Sequence, residues 1–148
     1  MKQGGGRAKG AAFEREVAGL IEAETGVRLR RNLTQYQERG LCDLVPVGEC
    51  AWPWAVECKR YAEARPGMVE AWYRQACDAA QALGQLPALI YKSDRRPIMV
   101  RVPLVALIIM GGAGVACPWK RCADVSFEDF CYITRELLAV EMGGKACD

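Results

Sequence analysis

Histidine is absent from all 148 residues of this chain. Its absence removes Ser-His-Asp and Cys-His nucleophilic catalysis, histidine-metal nucleases and histidine-ligated zinc hydrolases together, so any hydrolysis must run on carboxylates, lysine and metal. Long apolar runs are missing too: the longest, residues 104–110, stops at Gly111-Gly112, well short of a membrane span. With no apolar signal core at the N-terminus, the chain reads as a soluble, intracellular, cytoplasmic protein without a membrane partner. The eight cysteines lack paired spacing. Cys42, Cys50, Cys58 and Cys77 stand singly in apolar or mixed contexts and read as reduced core residues. Cys117 and Cys122 flank Pro-Trp-Lys-Arg like half a zinc site, but no second pair follows, so structural zinc is not expected. Nor is there an internal repeat or a large charge excess, the net charge being +2. The charge is unevenly spread, however. Residues 1–122 hold 18 of the 20 basic and 12 of the 18 acidic side chains, which leaves an acidic C-terminal stretch.

What is present is enough apolar material, 51% of the residues, to bury one core in a chain too short for two comfortable ones. Residues 1–10, with Gly4-Gly5-Gly6 among Lys2, Arg7 and Lys9, are expected to form a flexible basic arm ahead of a single domain over 11–148. Phe13, Val17, Leu20 and Ile21 recur at helical spacing and predict a helix over about residues 11–23, with Glu14 in its first turn, where the helix dipole favours an acid. Residues 27–30 alternate like a half-buried strand that extends toward 33, and residues 34–40 form a polar loop. Residues 41–47 predict a second strand with Asp43 as its only charge. A turn around Gly48, Glu49 and Pro53 leads to a third strand over 54–59, so the two should form a hairpin. Val69, Trp72, Tyr73, Ala76, Cys77, Ala80 and Leu83 mark a second helix capped by Gly84. Residues 88–92 and 98–102 read as a strand pair joined by a turn bearing Arg95 and Arg96. From Pro103 to Met110 helix and strand are both compatible with the pattern, and 111–114 is a flexible glycine stretch. Ser126, with Asp129 three residues on, starts a last helix to about Met142. The order implies an α/β domain with a mixed central sheet.

The third strand carries the chemistry. Alternation puts Ala55, Glu57 and Lys59 on one face and Val56 and Cys58 on the other. A carboxylate and an ammonium two residues apart can hold a divalent cation and set a charge beside a reacting phosphate, although an ordinary solvated strand shows the same pattern. In a hairpin, Asp43 and Glu57 lie close, and two carboxylates at one place repel unless a cation or a proton sits between them.

Taken together, Glu14 in the first helix, Asp43 on the second strand, Glu57-Cys58-Lys59 on the third and Gln75 in the next helix resemble the PD-(D/E)xK nuclease superfamily. The likeness is greatest to archaeal-type Holliday junction resolvases and their phage-borne relatives, through Gly10-Ala11-Ala12-Phe13-Glu14-Arg15-Glu16, Arg39-Gly40-Leu41-Cys42-Asp43-Leu44 and Trp72-Tyr73-Arg74-Gln75-Ala76. It covers about residues 9–103. The proline of the superfamily name is missing before Asp43, as it is in many members. The resemblance implies a restriction-endonuclease-like core (helix, three strands, helix, strand pair) over about 11–103 and a C-terminal helical extension over about 104–148. It further implies an endodeoxyribonuclease whose Mg²⁺, or Mn²⁺ in its place, is held by Asp43, Glu57 and the backbone carbonyl of Cys58, with Glu14 ligating through water or steering the ion. The cation would acidify a water for attack on phosphorus; Lys59 would orient or deprotonate that water or neutralise the transition state, and Gln75 would fix the lysine or a water. No small-molecule cofactor is implied. DNA, branched DNA foremost, would be held by Arg30, Arg31, Gln35, Arg39, Arg60, Arg74, Arg95 and Arg96, chiefly through phosphates. Symmetric cutting of two strands implies a C2 homodimer. The competing expectations are a restriction- or repair-type duplex nuclease of the same fold, and a non-catalytic DNA-binding or interaction module.

Overall fold

Apolar side chains on both faces of residues 54–60 draw that segment into the middle of a sheet, where either side can be covered. The computed structural model describes residues 5–33, 41–109 and 120–143. In chain order these form α1 (Gly5–Thr25), β1 (Leu29–Arg31), β2 (Leu44–Pro46), β3 (Trp54–Arg60), α2 (Pro66–Leu83), β4 (Leu86–Lys92), β5 (Met99–Pro103), α3 (Leu104–Ile109), β6 (Cys122–Ser126) and α4 (Phe127–Gly143). The six strands lie side by side in sequence order. All neighbours are antiparallel except β3 and β4, which run parallel from Trp54↔Leu86 to Arg60↔Lys92. Parallel neighbours need a crossover, and α2 supplies it.

Two layers of helix cover the sheet. On one face Trp54, Val56 and Cys58 join Ala88, Ile90, Val100 and Val102 beneath Phe13, Val17 and Ile21 of α1 and Phe130 and Leu137 of α4. On the other, Ala55 and Leu89 lie under Val69, Tyr73, Ala76, Cys77 and Ala80 of α2. The crossover helix begins at Pro66, whose missing N–H costs nothing there, and ends at Gly84, held at a left-handed φ of 64°.

Trp54 ties the sheet to α4. Its Nε1–H donates to Thr134 Oγ1 at 3.0 Å, the Thr134 hydroxyl donates to the Phe130 carbonyl at 2.8 Å, and the indole tilts against the Phe130 ring. Thr134→Val keeps the volume but leaves the buried indole N–H without its acceptor. We expect a loss of about 1–3 kcal/mol in urea unfolding, with the slope unchanged.

The three-strand, helix, strand-pair core stands as the pattern implies, with four differences. First, α1 starts at Gly5, so residues 5–10 are helical where a mobile arm is expected. Extending a formed helix gains one bond per residue without the cost of nucleation, and Lys9 reaches Asp94 at 3.8 Å. Second, β1 and β2 have only three residues each, and Asp43 lies just before β2 rather than inside it. Third, the C-terminal extension is not purely helical. Besides α3 and α4 it contributes β6, which pairs with β5 from Met99↔Ser126 to Pro103↔Cys122 and is clamped by a fork from Arg101 onto Asp124, both bonds 2.8 Å. Fourth, Cys50 is exposed rather than in the core, whereas Cys42, Cys58 and Cys77 are buried; all four are free thiols. The last helix starts where Ser126 predicts, its Oγ accepting from the Asp129 N–H at 3.0 Å. Among the described residues no helix is long and apolar enough to cross a membrane. The glycine stretch 111–114 and Cys117 lie outside the described residues.

Candidate active site

The site begins where β2 and β3 stop pairing. Their ladder has one register pair, Leu44↔Val56, after which the Asp43 N–H donates to the Val56 carbonyl at 2.8 Å. The next donor along β3 is the Cys58 N–H, and it is taken by a side chain: Asp43 Oδ2 accepts it at 2.7 Å. A carboxylate thus replaces a main-chain acceptor and is fixed against the edge of β3. Asn32 holds the same segment from the other side. Its N–H donates to the Asp43 carbonyl at 2.8 Å and its Nδ2 to the Cys42 carbonyl at 3.1 Å. In the sequence Asn32 stands out only as a lone amide between Arg31 and Leu33. A strand residue's N–H and C=O leave on the same side, so the Cys58 carbonyl shares the edge on which Asp43 sits.

Glu57 is 3% exposed and its Oε1 accepts from Lys59 Nζ at 2.9 Å. Glu14, projecting from α1, is buried too and ion-paired with Arg31 Nε. The charges of Glu57 and Glu14 both act on Asp43, and that of Glu14 acts on Glu57. Burial, then the charges of Glu57 and Glu14, push Asp43 up to about 7, against the opposing pull of the Cys58 N–H and Lys59. Burial likewise raises Glu57, with Lys59 opposing and Glu14 adding. For Lys59, burial works against the ammonium, but Glu57 and Asp43 outweigh it and the net movement is upward, so the side chain stays charged. Such a site carries more buried negative charge than one lysine offsets, and a proton or a cation relieves it.

The donor set fits a hard divalent cation. Among the described residues no three His, Cys, Asp or Glu side chains form a metal cage. Two carboxylates and a carbonyl at a strand edge instead suit an ion that keeps several waters and takes few protein oxygens. The Cys58 thiol lies in the core and is held protonated by burial, so no soft ligand competes.

The structure thus brings Glu14, Asp43, Glu57, Cys58 and Lys59 together. Gln75 lies exposed on α2 and has no hydrogen-bond partner among the described residues. The expected DNA-contacting arginines divide into two sets. Arg31 is committed to Glu14, and Arg60 to Asp94 at 2.6 Å. Arg30, Arg74, Arg95 and Arg96 are exposed, Arg74 being paired at 3.0 Å with Glu70 one helical turn away. Gln35 and Arg39 lie outside the described residues.

A family model described as "Phage putative PDDEXK endonuclease" matches residues 5–115. The chain belongs to that family. Membership makes it a PD-(D/E)xK nuclease, and the matched stretch contains Glu14, Asp43, Glu57 and Lys59, while β6 and α4 lie beyond it. Among solved structures, one that the chain matches is that of Archaeoglobus fulgidus Hjc, a Holliday junction resolvase from an archaeal hyperthermophile. The match has a TM-score of 0.45 and 15% identity, covering 90% of this chain and 98% of that one. No curated protein sequence matches.

Proposed function

We propose that this nuclease is a divalent-metal-dependent endodeoxyribonuclease selective for branched DNA, four-way junctions foremost. The observation that carries the metal-site reading is the convergence of Asp43 and Glu57, both buried and both pushed toward protonation, beside the charged Lys59. Asp43, Glu57 and the Cys58 carbonyl hold the cation, Mg²⁺ or Mn²⁺. When bound, the cation supplies Lewis acidity, polarising the phosphate and making water acidic enough to attack near neutral pH. Lys59, kept protonated by its carboxylate neighbours, offsets charge gathering on the phosphate rather than abstracting a proton. Glu14, tied to Arg31, steers the cation from α1, and Gln75 serves a water on the phosphate side. Arg30, Arg74, Arg95 and Arg96 take DNA phosphates, whereas Arg31 and Arg60 brace the protein's own acids. The preference for junctions rests on the likeness of residues 10–16, 39–44 and 72–76 to archaeal-type resolvases. It requires a C2 homodimer, working in the cytoplasm of a bacterial or phage-infected cell.

The test is single-turnover cleavage of junction, flap, blunt duplex and single-stranded DNA of shared sequence, with Mg²⁺ or with EDTA. We expect junction or flap to be cut at least about tenfold faster than blunt duplex, and nothing in EDTA. Sequence-dependent cuts in plain duplex, without preference for branches, would replace this reading with a restriction-type one. No cutting at all, together with no Mn²⁺ uptake by titration calorimetry, would leave a DNA-binding module.

A further inference from the structure

Beyond Lys59, the strand that carries the site continues into an aromatic residue the proposed chemistry does not use. The Tyr61 N–H donates to the Lys92 carbonyl at 3.2 Å, extending the parallel pairing of β3 with β4 by one position. Alternation then sets Glu57, Lys59 and Tyr61 in one row on the α2 face, with Tyr61 about 7 Å beyond Lys59.

The residue is 46% exposed, yet its ring is not loose. It stacks on the Trp72 ring of α2 with centroids 4.8 Å apart and planes 27° from parallel. Its backbone is held as well, the Arg60 Nη1–H donating to the Tyr61 carbonyl at 2.7 Å. Arg60 also binds Asp94 at 2.6 Å, and the Asp94 N–H donates to the Ala62 carbonyl at 3.2 Å. These bonds draw the β4–β5 turn against residues 61–62 and bring Arg95 and Arg96, both exposed, to the same end of the sheet. Arg95 sits at φ 59°, a left-handed conformation that costs a non-glycine residue energy and that the turn's bonds maintain.

A lone exposed aromatic needs no explanation. A ring pre-ordered on one face, 46% exposed, in line with the lysine of a nuclease site and with two exposed arginines at the same end of the sheet, has the features of a nucleobase-stacking surface. We propose that Tyr61, backed by Trp72, stacks an unpaired nucleobase next to the cleaved phosphodiester, while Arg95 and Arg96 take the neighbouring phosphates. The proposal deepens the nuclease reading and rests on it. Bases in intact duplex are stacked on one another and offer no free face, so a flap, a gap or an open branch point fits this surface and blunt duplex does not. Selection of structure without sequence follows, because every base has a π-face.

The experiment measures binding in EDTA, where nothing is cut. The probe is a hairpin duplex with a single-stranded arm carrying 2-aminopurine at successive positions. With wild type we expect fluorescence to be quenched when the probe base is the first unpaired one and not when it lies well along the arm. Tyr61→Phe should keep that quenching. Tyr61→Leu should lose it and lower the affinity ratio of armed over blunt DNA by about tenfold, equivalent to about 1.4 kcal/mol of stacking. Position-independent quenching with wild type overturns the proposal whether or not the leucine variant folds, as does unchanged selectivity in a folded Tyr61→Leu. If wild type cuts DNA but shows no quenching, the stacking surface fails and the nuclease reading stands. Quenching without cleavage of any substrate gives the reverse.

Discussion

Glu57→Ala should slow single-turnover DNA cleavage by about 10³-fold or more in saturating Mg²⁺, without loss of folding. The size of the effect follows from what the carboxylate does. It is one of two buried acids beside β3 and the one bonded to Lys59, so on the proposed function its removal takes away a cation ligand and releases the lysine at once. Folding survives because burial already opposes the charged form of Glu57, and the alanine leaves no orphaned charge larger than the one removed. Circular dichroism and gel-shift binding serve as controls. Cleavage at the wild-type rate would show that the Glu57 carboxylate is not part of the reacting centre.

The second large effect concerns pH. In the folded, cation-free protein Asp43 titrates at about 7, above the ordinary 3.8. Between those values the folded protein keeps a proton that the unfolded chain gives up. Cation-free stability should therefore be greatest at the acid end of that window, fall as pH rises through it, and level off above about 7, the change being on the order of a few kcal/mol. Asp43→Asn keeps an oxygen for the Cys58 N–H and discards the charge, so its melting temperature in EDTA should exceed that of wild type at about pH 8 and vary less with pH. Added Mg²⁺ should then stabilise wild type at about pH 8 and leave the asparagine protein unmoved. Calorimetry decides the matter: equal pH slopes in the two proteins would assign the proton to another group.

Much of this site could be read from the chain because it is built from short-range rules. The period-two pattern of residues 54–60 orients Glu57 and Lys59, the apolar stripe of residues 69–83 fixes the crossover, and a hairpin necessarily returns Asp43 to Glu57. What escaped depends on partners distant in sequence. The strand over 122–126 has no clear alternation of its own and exists because β5 offers an open edge and Arg101 a fork for Asp124. Nothing local to Arg31 shows that α1 crosses β1 and sets Glu14 against it. Tyr61 reads as the start of a loop, because nothing local shows that its amide continues the pairing with β4 or that Trp72 comes to lie on its ring.

Cys58 meets the proposed site through its backbone alone: the amide holds Asp43, the carbonyl leaves on the same edge, and the side chain lies in the packing of α1 and α4. Consecutive letters of this short word therefore answer to different judges. On the proposed function, changes at 57 or 59 are tested by phosphate chemistry, while a change at 58 is tested only for fit among Phe13, Val56 and their neighbours. The blank in the motif's name is a steric specification, written by the hydrophobic side of the sheet in a vocabulary of side-chain volume.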